Sequence, residues 1–150
     1  MRLMWIMLFA ALGLAAQTKM PNLALNCPAE ASSVENQNLL SEFAVDGKTK
    51  TRWSSAHRDD PQWFKVDLGS VKTVGRVVIV WENSAALDYK IQLSSDGENW
   101  IDAIHKTDGK GGEETLSFSP QPARFVRFTG QFRIQQYGGY SFREFQVFEK

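Results

Sequence analysis

With 150 residues, 17 lysines and arginines against 17 aspartates and glutamates, and 43% hydrophobic residues, the chain has room for one domain with a substantial core. Its even charge leaves no electrostatic footprint for nucleic acid. The only cysteine, Cys27, excludes an internal disulfide, so an exported domain of this kind must be held by its core or by a metal.

Residues 1–17, MRLMWIMLFAALGLAAQ, carry one early charge and then an apolar run that ends in small residues. That order reads as a secretory leader cleaved near Gln17 or Thr18, placing the protein outside the cytoplasm, in the periplasm or at a cell surface. The run is shorter than the ~20 residues that cross a bilayer. Loss of the leader removes Arg2 and leaves one net negative charge. Cys27, in LNCPAE, reads as a small buried filler and lies too far beyond the apolar run for a lipid anchor.

Helical periodicity is almost absent after that, and short β-rich runs follow one another between turn signals. QWFKVDLG (62–69) alternates Phe64, Val66 and Leu68 against Lys65 and Asp67, whereas GRVVIVWE (75–82) is apolar on both faces, as a central strand requires. DYKIQLSS (88–95) turns through Asp96-Gly97 into NWIDAIHKT (99–107), and DGKGG (108–112) leads into EETLSFS (113–119). ARFVRFTGQF (123–132) and SFREFQVFEK (141–150) complete the set. This spacing predicts an all-β fold, a sandwich or jelly roll of about eight main antiparallel strands, as one domain over 22–150.

Catalytic signatures are missing. The chain has no G-x-S-x-G elbow, no H-E-x-x-H and no phosphate-binding glycine loop, and its two histidines, His57 and His105, cannot build a zinc site. The stretch AVDGKTKTRWSS (44–55) combines an Asp-Gly turn, a basic run and a tryptophan. Asp46 offers a carboxylate, Thr51 a hydroxyl and a carbonyl, and lysine carbonyls can face a hard cation while their side chains turn to water. On spacing alone, a plain hairpin tip is the favoured reading of the stretch.

Six segments, in order, carry a resemblance: NLALNCPAEASS (22–33), AVDGKTKTRWSS, PQWFKVDLG (61–69), YKIQLSSDGENW (89–100), ARFVRFTG (123–130) and YSFREFQVF (140–148). Together they resemble the discoidin, or coagulation factor V/VIII type C, domain over essentially the whole chain beyond the leader. VWE (80–82) and QQYGGYS (135–141) are most similar to bacterial family-32 carbohydrate-binding modules. The resemblance implies a galactose-binding-domain-like jelly roll with one structural calcium. Its ligands would be the Phe43 and Lys48 carbonyls, the Asp46 carboxylate, Thr51 through carbonyl and hydroxyl, and the Glu144 side chain.

The resemblance also implies a non-catalytic module that docks a glycan through loops at one end of the sandwich, in association with a glycoside hydrolase or a cell surface. Ligand contacts would come from Glu35, Arg52, His57, Glu82 and Tyr137, with Arg133 added for hydroxyls. His57 stands where close relatives often carry tyrosine, and QQYGGYS has one glycine more than the usual pattern. Ser54 replaces the histidine typical of galactose-binding members, and two acidic contacts favour β-linked glucose or glucosamine units. Trp53, Trp63 and Trp100 are assigned to the core or to strand packing. The alternative is an adhesion module for protein or phospholipid. Against lipid, SSAHRDDP (54–61) and ENSAAL (82–87) show little apolar bulk and no basic rim.

Overall fold

A computed structural model describes residues 19–57, 59–135 and 138–150. The expected leader and Tyr137 lie outside the described residues. Seven strands appear in chain order: β1 (Ala29–Ala31), β2 (Trp53–Ser54), β3 (Gln62–Trp81), β4 (Ala86–Ser94), β5 (Ile101–Lys106), β6 (Glu113–Arg133) and β7 (Ser141–Phe148). Among the described residues the one helical element is a short 3-10 turn over Ser41–Ala44, just before the Asp46 loop. Among the described residues no helix is long and apolar enough to cross a membrane.

The all-β expectation holds, with a different partition of strands. QWFKVDLG and GRVVIVWE are the two halves of β3, and EETLSFS and ARFVRFTGQF are the two halves of β6. The two strands pair antiparallel along their length, with register shifts between Asp67 and Lys72 and between Val74 and Arg76. Gly69 takes φ +85°, a conformation that L side chains rarely adopt, and so marks the bend in the sequence. β1 and β2, of three and two residues, are too short to show a period.

All pairings are antiparallel, in the order β2-β7-β3-β6-β4-β5, with β1 beside β3. Along β3, β7 pairs with the second half alone, yet the rings of Phe142 and Phe145 pack on Phe64 from the first half, at 4.9 and 5.3 Å. The β3–β6 ribbon therefore folds over on itself, and its two halves face each other across one core. Trp53, Phe64, Tyr89, Phe128, Tyr140, Phe142 and Phe145 are fully buried there, in tilted and edge-to-face contacts that add to area burial.

Trp53 is thus a core residue. Trp63 and Trp100 are half-buried on the sheet's outer face, where Lys65 and Arg127 lie over their rings. Cys27 is half-buried rather than enclosed. Its thiol lies 3.2 Å from the Leu23 carbonyl, and burial pushes its pKa up. Folding of the ribbon brings the start of β3, the end of β3, the start of β4 and the end of β6 to one end of the molecule, where β7 enters. Tyr140 marks this meeting: its ring sits so close to Gly130 that an added Cβ would come within 2.5 Å of Cζ.

Candidate functional site

Two regions gather the chemistry that the sequence singled out. The first is the loop after the 3-10 turn. Gly47, at φ +76°, turns the chain so that the Lys48 N–H donates to Asp46 Oδ1 at 2.9 Å. The Thr51 hydroxyl donates to Asp46 Oδ2 at 2.6 Å and lies 3.4 Å from both the Phe43 and Lys48 carbonyl oxygens. Lys48 and Lys50 are exposed.

Glu144 reaches the same place from β7. It is 2% exposed, and neither carboxylate oxygen has a hydrogen-bond partner. Burial first, and then the neighbouring Asp46 carboxylate, push its carboxyl up to about 8, against the opposing pull of the Gly47 and Lys48 N–H groups. A buried carboxylate left without partners is costly. Among the described residues no group of three or more His, Cys, Asp or Glu side chains gathers as a metal site. This cluster has two carboxylates, the rest being carbonyls and a hydroxyl, which is the hard-oxygen chemistry that calcium accepts.

The second region is the loop end. β2 pairs with β7 so that Ser54 faces Ser141. Ser54 Oγ donates to Glu35 Oε2 at 2.9 Å, and the Glu35 N–H donates to the Ser54 carbonyl at 2.8 Å. On the other side of this pair, the Glu82 N–H donates to the Ser141 carbonyl at 3.0 Å, and the Ser141 N–H to the Ser84 carbonyl at 2.9 Å. One step of a two-strand ladder thus holds Glu35 and Glu82 on a common rim. Their side chains are 37% and 18% exposed.

Arg52 precedes β2 immediately and turns toward this rim. Its Nη1 lies 3.4 Å from Glu82 Oε2 and donates to Ser141 Oγ at 3.1 Å. His57 is exposed, with Nε2 3.9 Å from Glu35 Oε1. Four expected contacts, Glu35, Arg52, His57 and Glu82, therefore share one end of the fold. Arg133 is engaged differently. It lies 3.3 Å from Asp60 Oδ2, with its guanidinium 5.0 Å from the centre of the Tyr140 ring.

Several contributors escaped the sequence reading. Ser54, Ser84 and Ser141 build the rim, and Asp60 accepts the Tyr140 hydroxyl at 2.7 Å. Tyr140 N–H donates to Ser55 Oγ at 2.9 Å, which fastens the loop before β7 to the end of β2. Gly139 permits that closeness, since a Cβ there would fall 2.4 Å from the Ser55 hydroxyl. Only the strand register reveals the serine pair; the Y-S of QQYGGYS was its one visible trace.

The F5/8 type C domain profile matches residues 28–145. Among solved structures, chitosan-binding module 1 from a chitosanase/glucanase of Paenibacillus sp. IK-5 is 44% identical, with a TM-score of 0.82 and coverage of 85% of this chain and 98% of that one. Module 2 of the same enzyme, solved in complex with chitotriose, is 39% identical with a TM-score of 0.82, covering 85% of this chain and 99% of that one. The polysaccharide lyase 8 family protein HylA of Enterococcus faecalis is 36% identical over 118 residues, 74% of this chain, which spans only 8% of that protein's length. The family profile and the chitosan-binding modules place this domain among carbohydrate-binding modules, which are non-catalytic. On sequence profile, strand order and core, this chain belongs to the F5/8 type C, or discoidin, domain family.

Proposed function

We propose that this domain is a secreted, calcium-stabilised glycan-binding module whose rim, formed by Glu35, Arg52, His57 and Glu82, takes β-linked glucosamine units. The observation that carries the reading is the presentation of two carboxylates, Glu35 and Glu82, from opposite sides of the Ser54–Ser141 pair. A cationic amino sugar suits two such acids, and Arg52 and the serines offer donors for ring hydroxyls. The chitosan-binding modules, at 39% and 44% identity, support the same ligand class. Few groups are buried at the rim, so a single site should bind with roughly micromolar to millimolar Kd. Useful retention would then depend on multivalency or on a partner such as a glycoside hydrolase.

Isothermal titration with glucosamine oligosaccharides and their N-acetylated counterparts tests this directly. The free amine should bind more tightly, and added salt should weaken it. Equal binding of both forms would refute the acidic-pair argument.

Calcium is the structural half of the proposal. Phe43, Asp46, Lys48, Thr51 and Glu144 would hold it, and the support is the pair of buried, partnerless Glu144 oxygens beside Asp46. A bound cation would neutralise the two carboxylates and tie β7 to the first loop. The export assignment rests on the composition of residues 1–17 alone. Mass spectrometry of the N-terminus after expression with the leader tests it: cleavage near Gln17 is expected.

A further inference from the structure

Three of the six exposed large apolar side chains among the described residues stand at the loop end: Phe132 at 65%, Leu87 at 42% and Ile134 at 42% exposed. Phe132, the last residue but one of β6, stands opposite Asp88 of β4, next to the Ala86–Arg133 pair. It separates two open clefts. One, of about 340 Å³, is lined by Asp60, Leu87, Phe132 and Arg133. The other, of about 300 Å³, is lined by Asp88, Lys90, His105, Gln131 and Phe132. An exposed ring flanked on both sides by clefts that mix charged and apolar groups is unlike a membrane-inserting spike or a dry protein-docking patch.

The charged groups around the ring carry no basic surplus. Asp60 meets Arg133 at 3.3 Å, His105 meets Asp88 at 2.8 Å, and Lys90 meets Asp102 at 2.8 Å. An anionic lipid headgroup wants a basic surplus, which this rim lacks. The carboxylates of Asp60 and Asp88 keep acceptor capacity beyond these pairs, since an ionised carboxylate has about four lone-pair sites. Hydroxyls and amines approaching the edges of a ring stacked on Phe132 would find acceptors on either side.

The platform is linked to the rim described above by hydrogen bonds and a short stretch of chain. Asp60 is tied through Tyr140 to Ser55, the neighbour of the serine that holds Glu35. On the other side, Ile134 N–H donates to the Ala85 carbonyl at 3.1 Å, and Leu87 lies five residues after Glu82, at most ~18 Å along the chain. From this placement we infer that Phe132, flanked by Leu87, is the stacking platform of an additional sugar subsite. It takes a pyranose unit of the same oligosaccharide beyond those held at the Glu35–Glu82 rim, with Asp60 and Asp88 accepting from its polar edges. The inference rests on the glycan reading and adds to it a preference for longer chains.

The test compares a disaccharide and a hexasaccharide of glucosamine by titration against the wild-type protein, Phe132→Ala and Phe132→Trp. The wild type should bind the hexasaccharide more tightly. Phe132→Ala should lose about tenfold for the hexasaccharide, the equivalent of one well-stacked ring, while its disaccharide affinity and melting temperature stay near wild type. Phe132→Trp should keep the length dependence. Undiminished hexasaccharide binding by Phe132→Ala overturns the subsite while leaving the rim intact. Failure of the wild type to bind either oligomer removes the glycan reading itself, and the subsite with it. Sedimentation on phosphatidylserine vesicles that Phe132→Ala abolishes would assign the patch to lipid and overturn the proposal.

Discussion

Asp46 and Glu144 form one pair of carboxylates in this domain, Glu35 and Glu82 another, and the two pairs live under opposite conditions. Glu144 is enclosed and has no hydrogen-bond partner, with Asp46 as its charged neighbour. Glu35 is exposed and Glu82 half-buried at the surface, and each is steadied by a hydroxyl, an N–H or a guanidinium. A buried carboxylate beside a second acid is unfavourable while both are charged, so a counter-charge proposed at the first pair would act on the fold itself. Exposed acids held in place by partners are already stable and present spare acceptors, so the second pair suits a ligand that comes and goes. In the proposed reading, the same side-chain chemistry divides by burial into a calcium clip and a docking rim.

The largest expected effect separates the two at once. At a hundredfold excess over its Kd, calcium adds ~2.7 kcal/mol of stability by mass action, or about 10 °C in Tm for a domain of this size. Calorimetry with and without chelator should show that shift in the wild type, and Asp46→Ala should abolish it. Identical melting curves would remove the clip from the account. Glu82→Ala should do the reverse. Loss of a charge-assisted contact of about 1.5–3 kcal/mol lowers glucosamine-oligomer affinity by roughly 10- to 100-fold, with the calcium response unchanged.

Arg52 tests the boundary, because it follows Thr51 in sequence but its side chain reaches Glu82 and Ser141. Arg52→Gln should weaken oligosaccharide binding by several-fold, about 1 kcal/mol, and leave the calcium-dependent Tm shift alone. A lost calcium response would move Arg52 to the clip. The smallest effect concerns carboxylates far from both regions. Arg124 hydrogen-bonds Asp67 and holds its carboxyl below the ordinary value, and Lys90 and then Gln92 do the same for Asp102. Depressed carboxyls contribute stability above their unfolded value near 4 and lose it as pH falls through the folded value. A Tm-against-pH profile should therefore decline below about pH 4, and Asp67→Asn should flatten part of that decline.

How much of this was legible in the sequence depends on the kind of signal. Alternation in QWFKVDLG and DYKIQLSS exposes buried and solvent faces directly, so strand type and core were readable. Continuity was not. Nothing in residues 69–74 or 119–122 distinguishes a turn between two strands from a bend within one, and β3 and β6 run straight through. The residues of the Asp46 loop and Glu144, almost a hundred positions away, became a set only through the family pattern. Their meeting follows from β7 pairing with the far half of β3. The serine ladder beneath the rim depends on register between β2 and β7, which a two-residue strand cannot advertise. Leu87 escaped because ENSAAL reads as a small-residue loop, whereas the fold leaves that leucine exposed beside Phe132.

The most direct test of the division of labour is a titration of a glucosamine trisaccharide into the calcium-loaded protein, followed by backbone amide chemical shifts. The account predicts shifts concentrated at Glu35, Arg52, His57 and Glu82, with Gly47, Lys48 and Thr51 unmoved. Shifts confined to the Asp46–Thr51 loop, or no shifts at the rim at saturating sugar, would contradict it.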